Sequence, residues 1–471
     1  MVMKMLIFVS MQMQRAWNER ATEKVSDEAA LRFPNIFFGA LTVIPLFLLT
    51  AAFFDKWTGL IAAPLWACGV NAITYNRIAK EDTLLVFFML CAFYLYLRAK
   101  QISGYKARLK NRFYTLSGAA FGLMLAAKYF PHYFGLNMLY HHFVHVRERA
   151  PGEPAGRTPS SFYIIVGLVF LLANPAVLLP QTWSYLRSYT SEQLLTHTGY
   201  LIGNDLYHNT MSSTPFWSTP IYFYLLFLFT KVPLPIIFAL IVGLFQAARK
   251  PHHPGHAFLL LMFILWIVPY SLAGAKWLRY TLSLMPFVYM LAATGLMWMI
   301  RCLAQMLRGR EGIKSPPLRL LATTLLLIIF IALPALAAYT HKPHYALYTT
   351  WLARNSAGYF FPHDEFYYDG LREAIRYVCA VAPQGAMIVH ETPHVVRYYL
   401  EKYGRTDLQS RVLSSSDFQI EDAPQPSFII VQRGRTYFEN AEKIKEVRAL
   451  WRKTHEVYRQ NISVAEVYIN E

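Results

Sequence analysis

Residues 71–90 read NAITYNRIAKEDTLLVFFML. Two apolar runs meet there at Arg77, Lys80, Glu81 and Asp82, four charges within six positions. Charge at bilayer depth is expensive, so such a cluster marks either a water boundary or a functional site. The stretch reads as a polar turn between two membrane segments. Its meaning depends on the side of the membrane it faces.

Outward from this turn, long apolar runs recur between Phe33 and Thr340. The segments 33–54, 57–75, 83–97, 113–127, 129–146, 161–180, 233–248, 256–274, 280–300 and 320–340 are ten candidate spans,. The shorter ones need neighbouring helices or snorkelling Arg, Lys and Tyr to sit in a bilayer. Residues 220–230 are too short to cross alone and read as interfacial or re-entrant,.

The net charge of +17 is a topology signal. The loops 98–112, 147–157, 249–250 and 301–319 carry sixteen Lys or Arg against three acidic residues. They alternate with loops poor in basic residues, which is the positive-inside pattern. Because the charge is divided among short membrane loops, a nucleic-acid partner is excluded. Four cysteines without a CxxC spacing give no disulfide framework,. The sequon at Asn461 is expected inside a strand,.

With basic loops inside, the turn 76–82 faces outside, together with Lys128, the loop 181–219, Lys276 and Arg279,. Residues 341–471 then form a small external α/β domain,. GLREAIRYVCAV, PHVVRYYLEKY and NAEKIKEVRALWRK read as helices, GAMIVHE and SFIIVQ as strands,. EVYRQ and SVAEVYI close as a hairpin through Asn461. The HDE triplet at 363–365 is expected on the domain surface or against the membrane part. The same bookkeeping leaves residues 1–32 outside, although they are strongly charged. They read as the remnant of a first external loop, with a transmembrane helix missing upstream.

The external face gathers an unusual set of side chains: Arg77, Lys80, Glu81, Asp82, Lys128, His197, His208, Lys231, Lys276 and Arg279. Converging cations suit a phosphate, because Arg and Lys give charge-assisted hydrogen bonds to its oxygens. Carboxylates among them suit a base that takes a proton from a hydroxyl. Together they point to glycosyl transfer from a lipid-phosphate carrier. Each residue alone also fits plain solvation of a turn or snorkelling, and His197 and His208 lack an evident third metal ligand.

The pattern resembles the C-type (GT-C) integral membrane glycosyltransferases, nearest to the protein O-mannosyltransferases and the lipid A aminoarabinose transferases. LRFPNIFFGALTVIPLFLL resembles their second span, and Arg77 with Asp82 their Arg-x4-Asp turn. GAAFGLMLAAKYFPH places Lys128, STPIYFYLLFLFTKVPLP places Lys231, and KWLRYTLSLMPFVYMLAATGL places Lys276 and Arg279. The match runs in order over about 15–340; residues 341–471 match only loosely.

The resemblance implies a mainly α, polytopic fold of about ten transmembrane helices with a C-terminal α/β appendage. It implies an inverting transferase that moves a sugar from a polyprenyl-phosphate donor to a hydroxyl of a protein, lipid or glycan. Arg77, Lys80, Lys128, Lys231, Lys276 and Arg279 would hold the donor phosphate, and Asp82 and Glu81 would carry the acid–base work. His197 and His208 would face the acceptor. The family's main catalytic acid lies in its first external loop. Asp27 and Glu28 are the acidic pair here, but their position just before Arg32 reads as a helix start, where acids favour the dipole,. No cofactor is required, and a divalent metal is left open. A bacterial inner membrane is the expected location. The alternatives are a binder of lipid-linked sugar without turnover and a transporter or flippase, for which inverted repeats would be expected.

Overall fold

The computed structural model describes residues 2–102, 106–144, 157–191, 198–309 and 316–470. The chain forms two compact units. One comprises Met1–Ser184, Phe227–Pro269 and Arg279–Tyr345. The other comprises Tyr185–Leu226, Tyr270–Leu278 and Ala346–Glu471.

The first unit is helical. Among the described residues, five helical stretches are long and apolar enough to cross a membrane: Asp27–Phe53, Asp82–Gln101, Pro254–Leu272, Met285–Leu307 and Leu320–Thr340,. Ser160–Ala173 and Leu234–Arg249 are shorter apolar helices. The protein is thus an integral membrane protein. Its helix Asp82–Gln101 shows why the chain is helical here. Asp82 stands in its first turn and Arg98 and Lys100 in its last, each sign matching the dipole end it faces,. Between them an apolar run is buried against the helix Ala107–Ala127.

Without a hydrophobic drive between lipid-soluble helices, close backbone approach supplies packing energy, and small residues permit it. Helices Leu234–Arg249 and Met285–Gly309 meet in this way. A Cβ on Gly243 would lie 2.0 Å from the Leu291 carbonyl oxygen, and one on Gly295 would lie 2.1 Å from that of Ala239.

The N-terminal residues, expected as loop, form the helix Val2–Arg20. It packs on the next helix, with the Ser10 hydroxyl donating to the Ala30 carbonyl at 2.7 Å. Asp27 and Glu28 do begin that next helix, whose N-cap is Ser26,. The stretch 220–230, read from sequence as interfacial or re-entrant, overlaps the helix Phe223–Lys231.

The second unit holds all seven strands of the described residues. β1 (Tyr200–Ile202) and β2 (Asp205–Tyr207) form a hairpin within the segment 181–219. β3 (Met387–His390), β4 (Gln409–Val412), β5 (Ser427–Gln432), β6 (Arg452–Arg459) and β7 (Ile462–Asn470) form one sheet in the order β4-β3-β5-β7-β6. β3 runs parallel to β4 and β5, while β7 is antiparallel to β5 and β6. β5 is buried on both faces and reads as a continuous apolar run, as central strands do,.

The expected helices lie at Leu371–Val381, Pro393–Lys402 and Ala441–Leu450. The β6–β7 hairpin turns through Gln460 and Asn461, whose φ values of 48° and 65° are those of a two-residue primed turn,. Asn461 is therefore exposed at the turn and not inside a strand. The HDE triplet is also corrected: His363, Asp364 and Glu365 are all buried within this unit. Asp364 accepts from the Tyr200 hydroxyl at 2.6 Å and from the Leu278 N–H at 3.1 Å. Bonds of His363 and Asp364 to the hairpin and the 270–278 segment, and of Glu365 to the Gly358 N–H, explain why three polar residues could be taken inside,.

Candidate functional site

The turn 76–83 is built by polar residues buried among apolar helices of the first unit. Asn35, fully buried on the helix Asp27–Leu41, donates through Nδ2 to the Lys80 carbonyl at 2.6 Å and to Thr83 Oγ1 at 3.1 Å. Thr83 in turn donates to Asn76 Oδ1 at 2.9 Å. Both ends of the turn are thereby tied to one amide 45 residues earlier. Directed bonds of this kind hold a backbone that the apolar surroundings alone would not specify.

From this turn Asp82 reaches the end of the helix Ala107–Ala127. Lys128 caps that helix in an extended conformation and donates to Asp82 Oδ1 at 2.6 Å. The Lys128 side chain is 16% exposed and that of Asp82 10%. The ammonium also lies 4.4 Å from the Phe130 ring centre and 4.5 Å from that of Tyr280,. A carboxylate and two π faces fix one ammonium in position and leave it further donors,. Such a centre can hold a phosphate oxygen.

Arg77 lies on the same turn. It donates to the Pro343 carbonyl at 2.7 Å and stacks 4.9 Å from the Tyr345 ring centre. Burial pulls its pKa below the usual arginine value; Arg32 adds to the effect and Tyr345 opposes it,. Lys80 and Glu81 are half-buried and make no ion pair among the described residues. Arg279 lies over the neighbouring Tyr280 ring at 5.5 Å. Lys231 is buried, and its carbonyl accepts from Asn71 Nδ2 at 2.8 Å. Asp27 accepts from Gln14 Nε2 at 3.1 Å.

Lys276, expected at the donor phosphate, belongs to the second unit, where its ammonium is held by carbonyls. Its ammonium is fully buried and donates to the carbonyls of Thr219 and Ala273 at 2.6 Å each. Its backbone exchanges bonds with the Asn209 amide, at 2.7 Å from N–H to Oδ1 and 3.1 Å from Nδ2 to the carbonyl. Burial, with no carboxylate beside the ammonium among the described residues, pushes its pKa down to about 8,. His208 is exposed and stacks on Phe438 at 4.7 Å. His197 lies outside the described residues. Among the described residues no three His, Cys, Asp or Glu side chains are grouped to hold a metal.

The structure thus brings Asp82 and Lys128 together and sets Arg77 on the same turn. It adds Asn35, Phe130, Tyr280 and Tyr345, which sequence reasoning missed. Tyr280 directly follows Arg279, and Asn35 is a lone amide in an apolar helix. Those were the available signals.

The family model described as dolichyl-phosphate-mannose-protein mannosyltransferase matches residues 16–178. That is about a third of the chain, and it includes Arg77, Asp82 and Lys128. The GT-C resemblance is borne out over this segment. No curated protein sequence matches the chain. Among solved structures the chain is similar to ArnT from Cupriavidus metallidurans in the apo state, with 12% identity and a TM-score of 0.49, over 99% of this chain and 87% of that one. It is similar to the same protein bound to undecaprenyl phosphate, with 11% identity and a TM-score of 0.47, at the same coverage. A further likeness is to the oligosaccharyltransferase AglB from Archaeoglobus fulgidus in complex with an inhibitory peptide and a dolichol-phosphate. There the identity is 12% and the TM-score 0.46, over 98% of this chain and 65% of that one.

Proposed function

We propose that the protein is a membrane glycosyltransferase that moves a sugar from a polyprenyl-phosphate donor to an acceptor hydroxyl on the external face. The carrying observation is the Asp82–Lys128 pair at 2.6 Å, flanked by Phe130 and Tyr280, in a segment that matches the mannosyltransferase family model.

In this reading Lys128 takes a donor phosphate oxygen, and Arg77, Lys80 and Arg279 add positive charge around it. Asp82 orients the Lys128 ammonium. Glu81, the adjacent carboxylate without an ion pair, takes the proton of the acceptor hydroxyl. The acceptor oxygen bonds to C1 of the sugar from the face opposite the phosphate. The C1–O bond breaks, its electron pair leaves with polyprenyl phosphate, and the anomeric centre inverts. Positive charge on the phosphate stabilises the leaving group as it develops. The activated donor supplies the driving force.

About ten helices cross the membrane in this reading, and residues 341–471 form an external domain. A bacterial inner membrane fits the proposed polarity. The proposal is tested with the full chain in lipid nanodiscs, by measuring undecaprenyl phosphate binding and transfer from undecaprenyl-phosphate-linked sugars. Lys128→Met should weaken binding by about 1.5–3 kcal/mol, the loss of a charge-assisted bond. Glu81→Gln should bind normally and transfer poorly. Unchanged binding in both Lys128→Met and Arg77→Met would remove the phosphate site from this turn.

A further inference from the structure

We infer that the loop 208–219 is a membrane-interface anchor, seating Phe216 and Trp217 in the headgroup layer of the bilayer. Within the second unit the loop is closed at its base. The Thr219 N–H donates to the His208 carbonyl at 2.8 Å, and Thr219 Oγ1 donates to Asn209 Oδ1 at 2.9 Å. The buried Lys276 ammonium grips the Thr219 carbonyl at 2.6 Å from below. A Cβ on Gly274 would come within 2.4 Å of the Thr210 carbonyl oxygen and 2.3 Å of that of Ser213, so the loop backbone lies directly on that glycine. Thr210 and Ser213 hydroxyls bond at 2.7 Å, and the Trp217 N–H donates to the Thr214 carbonyl at 3.1 Å.

The tip of this closed loop presents apolar rings. Phe216 is 85% exposed, Trp217 81% and Met211 66%. A frame that holds two aromatic rings away from its own core is built for something outside the unit.

Composition names the occupant. From 206 to 230 the chain has no Asp, Glu, Lys or Arg. A protein partner's rim or a glycan would be met by charged or amide side chains, whereas a headgroup layer takes Trp with uncharged hydroxyl neighbours. The chain supplies continuity. Trp217 is followed by the exposed Ile221 and Tyr222, then by the apolar helix Phe223–Lys231, and then by the shorter apolar helix Leu234–Arg249. The rings therefore stand a few residues before two successive apolar helices, along a path without Asp, Glu, Lys or Arg. The inference rests on the integral membrane character and not on the transfer reaction.

The test is depth measurement on the full chain in nanodiscs of phosphatidylethanolamine and phosphatidylglycerol. The four cysteines are replaced by serine, and a spin label is placed at Trp217→Cys. Lys445→Cys, on an exposed face of the second unit, is the water reference; Leu325→Cys, in an apolar helix, is the lipid reference. The label at 217 should relax with oxygen in preference to a nickel chelate, as at 325. Nickel-favoured relaxation like that at 445 would overturn the inference. Shielding from both would do so too, since it would mean that protein covers the tip. A second readout keeps the native cysteines. In nanodiscs with lipid brominated near the glycerol end, Trp217→Phe should remove quenchable emission amounting to about a tenth of the total, one of ten tryptophans. Equal fractional quenching of both proteins would also overturn it.

Discussion

Lys128 and Lys276 invite comparison because each closely follows an apolar helix and each reads as a phosphate ligand from sequence. Lys128 meets a carboxylate at 2.6 Å and two aromatic rings, with part of its side chain still reachable. Lys276 meets only carbonyls, is fully buried, and clamps the loop 208–219. The difference teaches that the residue type sets the chemistry a lysine can offer, while its surroundings decide who receives it. An ammonium has three donors. Where carbonyls of its own chain take two of them out of reach of solvent, the cation is a structural pin.

The largest effect that can break this comparison is on transfer. Lys128→Met should lower kcat/KM by roughly 100- to 1,000-fold, the range for removing one donor to a developing charge. Lys276→Met should leave undecaprenyl phosphate affinity unchanged. Instead it should speed hydrogen exchange at the Thr219 amide, whose bond to His208 it helps to hold. Equal losses of donor affinity in both variants would erase the distinction.

A second, smaller effect is on pH dependence. A lysine whose folded pKa is near 8 and whose unfolded pKa is near 10.4 favours the folded state when neutral,. The second unit should therefore gain stability as pH rises from about 8 to about 10.4, by up to about 3 kcal/mol. Thermal unfolding across that range should show the gain in the native chain and not in Lys276→Met. His390 provides the acid-side counterpart. Burial lowers its pKa to about 4, its Nε2 pairs with Ser410 Oγ at 2.7 Å, and its Nδ1 accepts from the Thr392 N–H at 3.1 Å. Stability from the neutral ring is full above about 6.5 and lost as pH falls toward 4. His390→Gln should flatten that slope. Glu391 beside it, raised by burial, is unchanged in the variant and so drops out of the difference.

The third effect sharpens the account of the Lys128 side. Asn35→Leu should free the Lys80 carbonyl and Thr83 and loosen the turn that carries Asp82, at about 1–3 kcal/mol for stranded buried groups,. Its signature is reduced kcat with donor affinity largely kept, and Asn35→Gln should not restore it because the longer stem displaces the amide. The smallest effect lies far from both lysines. Arg405 bonds the Ala382 carbonyl at 2.9 Å and Asp407 Oδ1 at 2.9 Å, and that pairing lowers the Asp407 pKa to about 2. Its contribution is present above the ordinary carboxylate pKa and lost toward pH 2. Asp407→Asn should shift the melting temperature only slightly, and less at high salt.

Much of this was legible locally. Period-two alternation and turn residues marked the β6–β7 hairpin, and β5 was readable from its apolar run. The short β4 was not, because three of its four residues are exposed and carry no burial pattern. The β1–β2 hairpin was hidden for a related reason: its three-residue strands are too short for a period to show. In the candidate site, Asp82 and Lys128 were readable as charges beside spans. Their contact across 46 positions was not, and neither was the Asn35 clamp.

By itself the sequence determined which segments leave water and which charges stand at their ends, because transfer free energy and helix or strand period are properties of neighbours along the chain. Only the tertiary structure decided that Lys128 lies on Asp82 while Lys276 lies on two carbonyls. Partner choice depends on distances of a few ångströms between residues far apart in the chain, and Coulomb and hydrogen-bond energies vary over that range.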